Sequence, residues 1–146
     1  MINKKLLDIN VIKAYLSDAY YIKTSGVYEK IPLDSYTKIG NKLTLNSNGE
    51  IVVGAGVSYV EISAIVDLVG ANMTTGGKNI VIQKNGNISY RTWDNFNPVH
   101  NANIVLPSTI LEVQEGDTLS LAFYGVKNDL INPGVAFTHL TVKTIM

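Results

Sequence analysis

The chain has 146 residues, twelve basic and twelve acidic side chains, and no cysteine. That length suits one domain able to bury a core without metals or cross-links. The balanced charge leaves no electrostatic footprint for nucleic acid or anionic lipid, and the missing thiols exclude disulfides, thiolate metal sites and thiol catalysis.

The opening "MINKKLLDINVIKAYL" is interrupted by Asp8 and Lys13 and lacks the cleavage site of a secretion signal. No run approaches the ~20 apolar residues of a bilayer span. The expectation is a soluble chain assembled in a reducing cytoplasm, with no cofactor, no metal, and neither nucleic acid nor membrane among its partners.

Residues 2 to about 20 carry helical spacing. Ile2, Ile9 and Leu16 repeat every seven residues, Ile12 and Ala19 interleave, and Leu7, Val11 and Tyr15 widen the apolar face. The spacing predicts a short N-terminal helix within an arm and linker over 1–35. Such a helix is too short to stand alone in water and must dock on something.

From Ile39 onward the period becomes two. "KLTLNSNGEIVV" predicts a hairpin turning at Asn48-Gly49, since such a turn needs positive φ. In "VSYVEISAIVDLVG" Val60, Ile62, Ala64, Val66 and Leu68 face one way. Tyr59, Glu61, Ser63 and Asp67 face the other, with Ile65 as an apolar exception. "NIVIQKNGNISYRTW" predicts a second hairpin at Asn85-Gly86. Pro107, in "NIVLPSTILEVQ", removes a ladder donor and suits a bend or an edge. After the turn at Glu115-Gly116-Asp117, Leu119, Leu121 and Phe123 face a core while Ser120, Ala122 and Tyr124 face outward. In "FTHLTVKTI", Thr138, Leu140, Val142 and Thr144 share one face; His139, Thr141 and Lys143 lie opposite. Short strands separated by Gly, Asn and Asp turns imply an all-β fold, an antiparallel sandwich or barrel, over 36–146.

Several stretches invite a chemical reading. "GAGVSY" begins like a dinucleotide loop, but Tyr59 stands where the third glycine belongs and no βαβ unit surrounds it. "TTGGKN" lacks the other residues of a phosphate-binding loop. No Gly-x-Ser-x-Gly elbow is present. His100 and His139 lack companion ligands at zinc spacing, although histidines pooled at a symmetry axis fit an assembled protein. In "TWDNFNP", Trp93 and Phe96 are suited to stack on a sugar while Asp94, Asn95 and Asn97 bond its hydroxyls. The same loop also reads as a cover for the core edge.

The series "YVEISAIVDL", "NIVIQKNGN", "ILEVQEGDTLSLAFYG" and "FTHLTVKTI" resembles the jelly-roll heads of complement-type and tumour-necrosis-factor-like proteins. A glycine-containing turn before a long strand, a Gly-Asp turn and a closing hydroxyl-Leu-x-Val pattern carry the likeness. It implies an antiparallel jelly-roll sandwich of eight to ten strands and a homotrimer. The aromatic cluster of the mammalian heads is thin here, with only three Phe, and their collagen stalk, cysteines and secretion signal are missing. Bacterial and phage proteins of this kind use the fold as the knob of fibres and spikes. The resemblance therefore implies a non-enzymatic virion protein, a head fibre, tail fibre or baseplate knob, assembled in the host cytoplasm. Its partners are other copies of itself, further virion proteins held by the N-terminal arm, and a host-surface glycan. A bacterial surface or spore-coat jelly roll, or a carbohydrate-active enzyme on the same scaffold, are the alternatives. Residues assigned to the interface are Tyr59, Ile65, Tyr124 and His139 on the sandwich and Ile9, Ile12 and Leu16 on the arm; those assigned to the glycan are Trp93, Asp94, Asn95, Phe96 and Asn97.

Overall fold

Successive strand side chains leave on opposite faces, so the alternation from Tyr59 to Leu68 fixes one face as core. Val60, Ile62, Ala64, Val66 and Leu68 are all buried. The computed structural model describes residues 8–69, 77–91 and 102–145. In chain order the strands are β1 (Val11–Tyr15), β2 (Tyr20–Tyr21), β3 (Tyr28–Lys30), β4 (Ser35–Ile39), β5 (Leu43–Leu45), β6 (Ile51–Val53), β7 (Tyr59–Leu68), β8 (Asn79–Lys84), β9 (Asn87–Arg91), β10 (Ala102–Glu112), β11 (Thr118–Tyr124), β12 (Leu130–Ile131) and β13 (His139–Ile145).

The described residues form two antiparallel sheets. The first runs β2-β12-β7-β13-β1-β4, with β10 on the other edge of β7; the second runs β5-β6-β11-β8-β9, with β3 added to β11. One hydrophobic core fills the space between them. Its members include Ile12, Ile22 and Ile31 near the start of the chain, Ile62 and Val66 on β7, Ile80 and Ile82 on β8, and Leu121, Phe123, Leu140 and Val142 near its end.

The all-β sandwich agrees with the sequence expectation, but the short N-terminal helix does not appear. The described residues contain no helix, and the expected one gives way to β1. Ile12, Ala14 and Leu16 are buried at i, i+2 and i+4, a period-two pattern. Val11–Tyr15 pairs with β13 on one edge and β4 on the other, so its backbone groups are satisfied by distant strands. A locally helical spacing lost to a sheet that offered two hydrogen-bonding partners.

The turn readings hold with one refinement. At Asn85 (φ 53°) and Gly86 (φ 81°) both central residues are left-handed, joining Lys84 to Asn87 in a two-residue hairpin. At the first hairpin only Gly49 has positive φ. There Asn46 organises a longer loop, its Oδ1 accepting from the backbone N–H groups of Asn48 and Glu50 at 3.0 Å each. Pro107 sits at a bulge in β10, where the register against β7 shifts between Leu106 and Thr109.

Two polar anchors tie the loops at opposite ends. Asp117 accepts from Asn85 Nδ2 at 2.9 Å and from the Gln114 N–H at 3.0 Å. Asn85 Oδ1 accepts in return from the Thr118 N–H at 3.0 Å, joining two turns. The hydrogen bond from Asn85, helped by Gln114 and the nearby Lys84 charge, holds the Asp117 carboxyl below its usual range against the opposing effect of burial. That interaction stabilises the fold above the ordinary carboxylate range and fades as pH falls through it.

The second anchor is Lys78, whose Nζ lies 2.6 Å from Asp129 Oδ2 with both side chains fully buried. The same oxygen accepts from the Val126 N–H at 2.8 Å. Gly125 must be glycine here, since a Cβ would fall within 2.5 Å of that oxygen and closer still to the Phe123 ring. Removing one member of a buried pair strands the other charge, so Asp129→Ala is expected to cost about 3–5 kcal/mol. Urea unfolding measures this, and a loss below about 1 kcal/mol would contradict the structural role given to the pair.

Candidate functional site: the outward face of the first sheet

The side chains of the first sheet that do not enter the core line up in rows set by the strand register. One row runs Ile39, Val11, Lys143, Glu61, Ile110; the next runs Thr37, Lys13, Thr141, Ser63. A third runs Ser35, Tyr15, His139, Ile65, Val105, and Ile145, Tyr59 and Glu112 form a row beyond Ile110.

An antiparallel sheet with one wet face ordinarily shows polar residues on it. This face does so only in part: Ile39 is 65 % exposed, Ile110 62 %, Val105 49 % and Tyr59 48 %. At the β4 edge, Val11, Lys13, Thr37, Ile39, Thr141 and Val135 line an open groove of about 440 Å³.

The charges on this face are divided. Lys13 and Lys143 lie on β1 and β13; Glu61 and Asp67 lie on β7 and Glu112 on β10. None of them belongs to an ion pair among the described residues, where the pairs are Lys30–Glu50, Lys42–Asp8 and Lys78–Asp129. Glu61 accepts instead from Ser108 Oγ at 2.6 Å, and Asp67 from Asn132 Nδ2 at 3.0 Å. His139 lies in the apolar row between Tyr15 and Ile65. Its Nδ1 is 3.3 Å from Thr141 Oγ1. Burial and then the positive charge of Lys13 push the imidazole below its ordinary pKa.

The structure brings together three of the four sandwich residues assigned to an interface: Tyr59, Ile65 and His139 share this face. Tyr124 points out from β11 on the opposite side of the sandwich, where its ring packs against Tyr28 with centroids 5.3 Å apart. Of the arm residues, Ile12 and Leu16 belong to the core, while Ile9 is exposed just before β1. Trp93, Asp94, Asn95, Phe96 and Asn97 lie outside the described residues.

Val105, Ile110, Ile39 and Ile145 were not singled out from sequence. The bulge at Pro107 reverses parity along β10, so Val105 and Ile110 face outward together although their spacing is odd. Pro107 within a strand pattern was the available signal.

No family model matches the chain, and no curated protein matches it. Solved structures do. Murine APRIL at pH 8.0 aligns with a TM-score of 0.69 at 11% identity, covering 94% of this chain and 100% of that one. Eiger TNF from S. frugiperda gives 0.65 at 8%, with 94% and 92% covered. Pika GITRL gives 0.59 at 14%, with 94% and 96% covered. The fold is a tumour-necrosis-factor-like jelly roll. At these identities the likeness is one of architecture, and it covers most of the chain.

This jelly roll separates core from surface by strand parity, which two substitutions test. Ile12→Asp places a carboxylate at a fully buried position and is expected to cost on the order of 4–5 kcal/mol, enough to lose the β-sheet circular dichroism signal at 25 °C. Ile110→Lys, opposite Glu61, should leave that signal unchanged. Equal effects from the two would overturn the assignment of faces.

Proposed function

We propose that this chain is a non-enzymatic, homotrimeric binding module: the knob of a phage head fibre, tail fibre or baseplate, which attaches to a host-surface glycan. The observation that carries the reading is the outward face of the first sheet on a tumour-necrosis-factor-like jelly roll. That face combines exposed Ile39, Val105, Ile110 and Tyr59 with charges of both signs on separate strands that form no ion pair among the described residues.

A second copy fits this surface better than an unrelated protein does. The basic strands β1 and β13 of one protomer complement the acidic strands β7 and β10 of the next, and the apolar side chains toward the two edges of the face, Val11 and Ile39 on one and Val105 and Ile110 on the other, add water-excluding contacts. Exposed apolar side chains gathered on one face of a domain suit an interaction site. A trimeric knob also raises avidity, because three weak glycan contacts linked in one particle act together without any new contact. The glycan role rests on the sequence of residues 93–97 alone, and the virion setting rests on the resemblance of the chain to fibre knobs.

The oligomeric state is the first test. Size exclusion coupled to light scattering should give three times 15.9 kDa for the native chain. The double variant Val105→Lys/Ile110→Lys should elute at the mass of one chain while keeping its β-sheet spectrum. A native chain that is monomeric at high micromolar concentration contradicts the reading. Binding of the trimer, and not of the monomeric variant, to purified host cell-wall glycans tests the attachment role.

A further inference from the structure

We infer that Asn48 is a site of spontaneous covalent modification, where the chain converts its own asparagine to aspartate and isoaspartate, while the other Asn-Gly pair, Asn85-Gly86, is locked against the same reaction. This chemistry is independent of the binding role proposed above.

The reaction needs no partner but water. The backbone nitrogen of the following residue attacks the asparagine Cγ, a cyclic imide closes, and the bond from Cγ to Nδ2 breaks. The proton lost by the backbone nitrogen leaves with Nδ2 as ammonia. Water then opens the ring. Breaking the bond from nitrogen to Cγ gives aspartate. Breaking the bond from nitrogen to the backbone carbonyl carbon gives isoaspartate, whose main chain runs through the former side chain and is longer by a carbon. A glycine in the following position leaves the attacking nitrogen unshielded, and both pairs have one. What separates them is the freedom of the asparagine side chain to reach an attack geometry.

Asn85 has no such freedom. Its Nδ2 donates to Asp117 Oδ1 at 2.9 Å, and its Oδ1 accepts from the Thr118 N–H at 3.0 Å. Its own N–H donates to the Thr118 carbonyl at 2.9 Å, which holds the main chain as well. Ring closure would break both side-chain bonds, and the product carboxylate would face that of Asp117 where a donor stood before.

Asn48 stands differently. It is exposed in the loop between β5 and β6, and its side chain makes no hydrogen bond among the described residues. The loop is organised through Asn46 instead, whose Oδ1 accepts from the N–H groups of Asn48 and Glu50 and whose Nδ2 donates to Glu50 Oε1 at 3.1 Å. The attacking nitrogen, that of Gly49, donates to the Asn46 carbonyl at 3.2 Å, the long end of the hydrogen-bond range. The product also has a structural consequence. Gly49 is seated so closely that a Cβ there would lie 2.9 Å from the Leu33 nitrogen. Isoaspartate at 48 adds a backbone carbon beside that seat and strains the hairpin whose Leu43, Ile51 and Val53 enter the core.

The experiment ages the full chain at 37 °C, at pH 8.5 and at pH 6.0, with circular dichroism confirming that it stays folded. Peptide mass spectrometry with electron-transfer fragmentation follows each Asn-Gly pair and separates aspartate from isoaspartate. A parallel sample is aged in urea. In the folded chain Asn48 should convert at least tenfold faster than Asn85, giving both products, and faster at pH 8.5 because the nitrogen attacks as its anion. In urea the two sites should convert at similar rates. Asp117→Ala, where it folds, should speed Asn85 several-fold; where it does not, the urea sample makes the same comparison. The inference is overturned if Asn48 stays intact, converts no faster than Asn85, or converts as fast at pH 6.0. It is equally overturned by a tenfold gap that persists in urea, or by a folded Asp117→Ala chain in which Asn85 stays as slow as before.

Discussion

Everything in this molecule hangs on the strict two-residue alternation of β7. Its even-numbered residues enter the core with almost no exposure, its odd-numbered residues leave on the other side, and both of its edges are paired along most of their length, by β10 and by β13. A one-residue slip would exchange the two faces wholesale. The core and the candidate interface are therefore two sides of a single constraint. Val60, Ile62 and Val66 hold the sandwich together because Tyr59, Glu61 and Ile65 do not.

Much of this was legible in the residues themselves. The faces of β7 and β13 follow from alternation, and the second hairpin follows from Asn85-Gly86; on β11 the expected outward residues Ser120 and Ala122 are buried as well. What stayed hidden was non-local. The segment Val11–Tyr15 offers a helix and a strand nearly equal local support; the decision comes from β13, more than a hundred positions away, where Val11 pairs with Lys143. Tyr124 was correctly placed outward from its strand, but strand parity does not say which sheet the strand joins. Its strand lies in the second sheet, so Tyr124 and Ile65 emerge on opposite sides of the sandwich. The bulge at Pro107 put Val105 and Ile110 on one face against the parity of the sequence.

The loops show a division of labour. Asn85, Asp117 and Gln114 knit one end with hydrogen bonds that remain partly in water's reach, while Lys78 and Asp129 pin the other with a fully buried charge pair. Burying both charges has a large desolvation cost that geometry must offset, so the gain is one of fixed loop placement more than raw stability. The two anchors hold both ends of β8 and β11, the strands that back the core from the second sheet. An apolar surface held in one geometry associates with less ordering cost than a mobile one. We propose association on the outward face of the first sheet and not on the tyrosine-bearing face of the second sheet, where Tyr28 and Tyr124 already pack on each other.

The central claim is that copies of this chain cover one particular face of one another. Because the native chain has no cysteine, a single thiol reports on one surface without interference. Maleimide labelling rates of Val105→Cys, on the first sheet, and Lys30→Cys, on the second, should be compared at concentrations above and below assembly. The account predicts that Val105→Cys becomes protected at least tenfold on assembly while Lys30→Cys reacts at an unchanged rate. Equal labelling of both positions at every concentration, or protection of Lys30→Cys alone, would contradict it.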